Sequence, residues 1–372
     1  MSSEIIDVHM HVGVKGDHWN SMGKISEWFQ QRIVYKIMLL YAGIDPGDDR
    51  DEIFKKKTLE VIENSAVDKV VCLALDHVYT LNGDPNEEAS HMWVSNEYII
   101  QHLIKELPNK ILLGASVHPY RDDFEDKIKE YKDKGAVLLK WIPSAQQINL
   151  ASDKVKNALK ILAENTIPLL LHVGPEYAIY STDLRTKSYD FLSWRFHDKV
   201  ANTFRFKKKW FVPDIQKINE NIKIFLAQGG KIIFAHCGLP YYVSGWIGKL
   251  FEHSDFSKVK EYICSNKNGS PQCFADTSAI ITPFRQAYFK KIKKLPANSL
   301  LFGSDYPTPV FELSVDLEEN LEDFKAILKG DLKRIIIPEG NLIDVNLEEM
   351  KKIFPNHMMF TNFNQFLWNN HN

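Results

Sequence analysis

The sequence predicts an α/β fold, a (β/α)8 TIM barrel whose long βα insertions cap its C-terminal face. Three observations carry this: eight short apolar runs recur along the 372 residues, helical patterns separate them, and ionisable residues close several of the runs. A run that is apolar throughout, without alternation, fits a parallel strand covered on both faces. A doubly wound open sheet gives a similar alternation, so the strand count alone does not choose between the two.

The runs are EIIDVH over 4–9, KVVCLAL over 69–75, KILLGASV over 110–117 and AVLLKWI over 136–142, then IPLLLHV over 167–173, KIIFAHC over 231–237, CFADTSA over 273–279 and SLLFGSD over 299–305. Two of the intervening helices are plain. Residues 92–107 place Ile99, Ile100, Leu103 and Leu107 on one face, and Pro108 stops that helix. Residues 214–228 do the same with Ile215, Ile218, Ile222, Phe225 and Leu226 before Gly229 and Gly230. The stretch 346–368, with Met350, Ile353 and Phe354, reads as a closing helical region.

Three connections are too long for simple βα units: 13–50, 175–212 and 310–345. All three leave the C-terminal ends of strands, where a barrel keeps its active site, so they are expected to cap it. With no repeat and no internal boundary, residues 1–372 read as one barrel domain.

A net charge of -2 gives no argument for nucleic acid, and 44% hydrophobic with 25% charged residues is the profile of a soluble globular chain. No stretch approaches 18 uninterrupted apolar residues and the start lacks a signal-peptide pattern, so neither a membrane span nor secretion is expected. Cys72, Cys237, Cys264 and Cys273 show no paired spacing, which fits reduced thiols and a cytoplasmic setting.

The chemistry lies at the strand ends. His9 and His11 are two apart, so strand alternation puts both imidazoles on one face, with Asp7 one pair earlier. His172 ends PLLLHVG, His236 ends KIIFAHCG and Asp305 ends LLFGSDYP. An ionisable group closing an apolar strand is costly unless paired, ligated or solvated. A barrel gathers such ends around one mouth. Nitrogen and carboxylate donors together suit zinc, with manganese, iron or cobalt as alternatives.

The motifs DVHMH, KWIP, LLLHVG, FAHCG, FADTSA and GSDYP, in this order over most of the chain, resemble the amidohydrolase superfamily. Within it they look like the amidohydrolase-2 group, which includes aminocarboxymuconate-semialdehyde decarboxylase. The resemblance implies that His9, His11, His172 and Asp305 hold one divalent metal, and that His236 stands beside it as catalytic acid or base. It also implies a water activated by the metal, with Asp305 accepting its proton. Binuclear relatives carry a carboxylated lysine or a glutamate at the end of the fourth strand; this chain has Lys140 there. Lys140 is thus either an ordinary lysine facing substrate, the reading favoured here, or a carboxylated bridge between two metals.

The leading functional expectation is a hydrolase acting on a small, anionic or neutral carbonyl compound, an ester, lactone or amide. The rival is a decarboxylase of an unsaturated or aromatic acid, which basic groups in the mouth such as Arg185, Arg195 or Lys140 would favour. A non-catalytic metal-binding protein ranks third. Members of the family are often dimeric, so a homodimer is the assembly the resemblance allows. Lesser candidates are His77 and His118, read as hydrogen-bonded or surface histidines, and Thr277 and Ser278. The stretch 189–210, with Arg195, Arg205 and Lys207 to Lys209, reads equally as an anion-binding lid or as a cap helix with a solvated basic face.

Overall fold

Each apolar run forms a strand, most of them shorter than the run, while the first extends past its run to His11. The barrel strands are β1 (Ile6–His11), β3 (Lys69–Leu73), β5 (Ile111–Ala115), β6 (Ala136–Trp141), β7 (Leu169–Leu171), β8 (Ile232–Phe234), β9 (Cys273–Asp276) and β10 (Leu300–Leu301). Among the described residues two further strands, β2 (Gly23–Ile25) and β4 (Met92–Val94), form a separate antiparallel pair. The structure is a computed structural model describing residues 4–45, 47–173, 215–239, 254–265, 271–282, 285, 288–307, 337–355, 358–363 and 366.

The eight barrel strands run parallel in the order β1-β3-β5-β6-β7-β8-β9-β10. Hydrogen bonds then join the first strand to the last: Val8 N–H to Phe302 O at 3.0 Å, Asp305 N–H to His9 O at 2.7 Å, and His11 N–H to Tyr306 O at 2.8 Å. The sheet is therefore closed, which decides between the barrel and the open sheet. Its interior is filled by Ile6, Val8, Val71, Leu73, Leu138, Leu170, Ile233, Phe274 and Leu301. Phe363 and Phe366 join that cluster, and the Lys231 ammonium stands 5.1 Å over the Phe366 ring. Since Lys231 precedes β8, these phenylalanines plug the N-terminal end and leave the opposite end for chemistry.

Helices cover the outside. In Asp153–Glu164, Val155, Leu159 and Leu162 are buried, and the Ser152 side chain caps the start by accepting from Val155 N–H. Helix Ile215–Ala227 lies where the pattern predicts, and Gly229 beyond its end adopts φ 88°, a conformation that favours glycine.

Two expected helices need correction. Met92–Val94 is strand, not helix, and the helical stretch begins only at Asn96, capped by Ser95 accepting from Tyr98 N–H. It continues as a π-helix over Ile99–Ile104. Near the C-terminus a helix runs over Leu342–Ile353, starting before the expected 346, and a 3-10 turn over Met358–Phe360 follows it. Phe354 leaves the helical region at φ -126°, ψ 68°, because the following Pro355 disfavours it. The expected cap segment 175–212, with Arg185, Arg195 and the lid stretch 189–210, lies outside the described residues, as does 310–336 of the third insertion.

The first insertion is described almost whole, and one carboxylate organises it. Asp51, 1% exposed at the start of helix Asp51–Glu63, accepts from four backbone N–H groups: Lys15 at 2.7 Å, Gly16 at 3.0 Å, His18 at 2.9 Å and Trp19 at 2.7 Å. Burial works against the charge, but these donors prevail and hold the carboxyl below its ordinary pKa. Gly16 has φ 89° to make the turn. Asp51→Ala would leave four donors without their acceptor, and is expected to lower the unfolding free energy by roughly 3 kcal/mol. Urea denaturation checks this; a change below about 0.5 kcal/mol, the size of an ordinary surface substitution, would show that water replaces the carboxylate without loss.

Candidate metal centre

The β1 strand does not alternate cleanly. Its register against β3 passes from Asp7 opposite Val70 to Met10 opposite Cys72, so Val8 and His9 together face the single residue Val71. Such a bulge re-aims a side chain. Here it brings His9 to the side of His11, with their Nε2 atoms 3.1 Å apart. It also overturns the expectation for Asp7, which falls in register with Val70 of the outer core instead of sharing the histidines' face. The Asp7 carboxylate instead secures the bulge, accepting from His9 N–H at 3.0 Å and Ser304 N–H at 2.9 Å. Its other oxygen is buried without a partner, and burial pushes its pKa up to about 7.

Asp305 follows β10 and is held at φ 62°, where a residue other than glycine stands only if its surroundings insist. That turn carries Oδ1 to 3.4 Å from both His9 Nε2 and His11 Nε2. Gly303, two residues earlier, makes room: a Cβ there would lie 2.9 Å from the His9 Cβ. Nitrogens about 2.0–2.1 Å from a tetrahedral zinc are spaced roughly 3.3 Å from one another. The three donor atoms therefore stand at the edge lengths of a zinc coordination polyhedron, and these residues fit a divalent ion. A second group, His9, His236 and Asp276, also has donor types and spacing able to hold a metal.

His172 is placed next to this trio but not within it. It follows β7, donates its backbone N–H to Trp141 O at 3.0 Å, and sets its ring 5.1 Å from that of His236. His236 follows β8 at φ 53° and stacks on His9 with ring centroids 5.1 Å apart. Its Nδ1 is 3.9 Å from Asp305 Oδ2. Lys140, fully buried on β6, turns into the mouth with Nζ 3.2 Å from His9 Nε2.

Electrostatics favour neutral imidazoles at His9, His172 and His236 and an ionised Asp305. Burial lowers the pKa of His9, and the Lys140 charge lowers it further. Burial, then Lys140, then Arg285 hold His172 well below the ordinary histidine range, and burial does the same for His236. Burial opposes ionisation of Asp305, but His236, His11 and His9 overcome it and hold the carboxyl well below its usual range. Neutral imidazole and ionised carboxylate are the forms that ligate metals. Among the candidate ligands, His11 is the more open, its side chain 21% exposed against 7% for Asp305. An apolar cavity lies beside it, lined by Phe29, Met38, Phe54, Met92 and Tyr306 among others.

Two residues were not singled out from sequence. Asp276 ends β9, fully buried, and its Oδ2 accepts from His9 Nδ1 at 2.8 Å. A carboxylate on the far ring nitrogen fixes which nitrogen faces a metal. Asp276 closes an apolar run just as Asp305 does, so the same signal could have found it. Arg285 is 3% exposed and donates to the carbonyls of Ala279 and Leu239, each at 3.4 Å. It lies in a loop, where no periodicity marks it.

The lesser candidates separate clearly. His118 Nε2–H donates to Gln146 O at 2.8 Å while its Nδ1 accepts from Tyr120 N–H, and burial pushes its pKa down to about 4. His77 stacks on Trp93 at 3.9 Å and pairs with Glu87 at 3.1 Å. Both are bound in local structure. The Thr277 hydroxyl donates to Leu301 O at 3.2 Å, whereas Ser278 contacts both His9 and His236.

No protein-family model matches the chain, and no curated protein matches it. It is similar to several solved structures over most of its length. One is a probable 2-pyrone-4,6-dicarboxylic acid hydrolase from Acinetobacter baumannii, 14% identical, covering 92% of this chain and 99% of that one at a TM-score of 0.44. Another is 5-carboxyvanillate decarboxylase LigW from Sphingomonas paucimobilis, 12% identical, covering 95% and 99% at 0.44. A third is amidohydrolase 2 from Bifidobacterium longum subsp. infantis, 12% identical, covering 98% of each chain at 0.47.

Proposed function

We propose that the chain is a metal-dependent enzyme of the amidohydrolase-2 kind, a hydrolase of a small ester, lactone or amide. The observation that carries the reading is the convergence of His9 Nε2, His11 Nε2 and Asp305 Oδ1 at the spacing of zinc ligands. His172 is proposed as the further protein ligand. Zinc suits the donor set, and manganese, iron or cobalt would also be accepted. When bound, a divalent ion lowers the pKa of a water from 15.7 towards about 7.

The chain's own residues divide the remaining work. Asp305, ionised at neutral pH, would take on Oδ2 the proton that the attacking water gives up, while Oδ1 stays with the two histidines. His236 exchanges a proton with the reacting group. Lys140 offers a positive charge to the carbonyl oxygen, and the cavity beside His11 receives the apolar part of the substrate.

A second reading is favoured by one observation. Lys140 and Arg285 are two buried cations near the histidines, and they would supply the counter-charge that a substrate carboxylate needs. An anionic substrate and a decarboxylase follow from that emphasis. A panel of esters and lactones, set against aromatic and unsaturated acids with carbon dioxide release followed, separates the two.

Metal content per chain, by plasma mass spectrometry on protein purified without chelator, tests the reading first. The expected result is about one equivalent of a transition metal. About two equivalents would instead identify Lys140 as a carboxylated bridge and strengthen the hydrolase over the decarboxylase. None after reconstitution would overturn the assignment of the strand-end histidines.

A further inference from the structure

The segment Asp276–Ser278, at the end of β9, touches both central imidazoles on the same ring nitrogen. His9 Nδ1 lies 2.8 Å from Asp276 Oδ2 and 3.0 Å from Ser278 Oγ. His236 Nδ1 lies 2.7 Å from Ser278 Oγ and 3.0 Å from the Ser278 carbonyl oxygen. From these contacts we infer that Ser278 is a positioning residue that fixes His236 with its proton on Nδ1, so that His236 presents Nε2 as a proton acceptor.

A carbonyl oxygen only accepts, so the nitrogen facing it carries the proton. The Ser278 hydroxyl is oriented too: it donates to Asp276 Oδ1, which leaves its oxygen to accept from the imidazoles. Asp276 is held through both of its oxygens: Oδ2 faces His9 Nδ1 at 2.8 Å. Its Oδ1 also accepts from the backbone N–H groups of His236 at 2.9 Å and Ser278 at 3.1 Å. Every donor around the carboxylate therefore points one way, and no arrangement with a proton on His236 Nε2 satisfies the Ser278 carbonyl as well.

The backbone supports the same geometry. Ala279, next to Ser278, is at φ 51°, and His236 and Cys237 are each at φ 53°. These turns bring the Ser278 carbonyl and the His236 ring face to face. Nε2 of His236 has no hydrogen-bond partner among the described residues and is absent from the fully buried, unsatisfied atoms. It is the ring atom left for a reacting group.

The inference rests on the proposed function for its meaning, because it makes His236 a base in its resting state and an acid only after it has taken up a proton. Its test does not depend on that function. Ring nitrogen-15 shifts of the metal-free protein, labelled on histidine and assigned with His236→Asn, report which nitrogen is protonated. The expected spectrum shows His236 Nδ1 protonated and Nε2 bare; a proton on Nε2 would overturn the inference. Ser278→Ala, which removes the shorter of the two contacts, is expected to move both His236 nitrogens toward averaged shifts. Unchanged shifts in that variant would overturn the part assigned to the hydroxyl. The metal content of the same wild-type sample keeps the two ideas apart: a chain that takes up no metal yet shows a bare Nε2 supports this inference while the enzyme reading falls.

Discussion

Asp305→Asn is expected to reduce turnover by about 10²–10⁴-fold, the range for loss of a positioned general base, while lowering metal content far less. Asparagine keeps the size of the side chain and one oxygen, so the donor facing His9 and His11 survives in a weaker form. What it cannot do is accept the proton. The geometry makes the distinction sharp, because one Asp305 oxygen stands 3.4 Å from both Nε2 atoms while the other faces His236 at 3.9 Å. The residue is also committed to this position by a left-handed backbone and by its N–H bond to His9 O at 2.7 Å. Turnover and metal content measured on the same preparations check the prediction. Normal turnover in Asp305→Asn would remove Asp305 as the base, whatever the metal content.

The fold was legible because parallel strands buried on both faces leave unbroken apolar runs, and all eight runs became barrel strands. Closure was not legible. It depends on hydrogen bonds between residues as far apart as Val8 and Phe302, which leave no periodic trace. Met92–Val94 was read into a helix because three apolar residues extend a helical face as readily as they make a strand; Ser95, a good cap, marked the true boundary. Pro355 likewise marked the end of the last helix. At the site, His9, His11, His236 and Asp305 stood out because a polar group closing an apolar run is costly without a partner. The same reasoning applied to CFAD would have reached Asp276. It fails for Asp7, where strict alternation was assumed and the β1 bulge broke it. Ser278 and Arg285 carry no such signal: a serine is too common, and a loop arginine has no period.

Graded loss of metal across three variants would show how the centre is built. His9→Ala is expected to reduce metal to trace levels, because His9 Nε2 stands at the centre of the site, 3.1 Å from His11 Nε2, 3.4 Å from Asp305 Oδ1 and 3.2 Å from Lys140 Nζ. Asp276→Asn leaves all proposed ligands in place but weakens the hold on His9 Nδ1, and the usual cost of losing such a support is about 10–100-fold in metal affinity. His172→Ala tests the ligand that stands outside the tight trio. If His172 is the further ligand, that variant loses metal nearly as completely as His9→Ala. If it keeps about one equivalent, the ion rests on His9, His11 and Asp305, and His172 serves the substrate beside His236. Full occupancy in both His9→Ala and His172→Ala would sink the site altogether. The order matters chemically: three protein ligands leave the fourth tetrahedral position to water, whereas with His172 bound as well the water needs an ion expanded to five-coordinate.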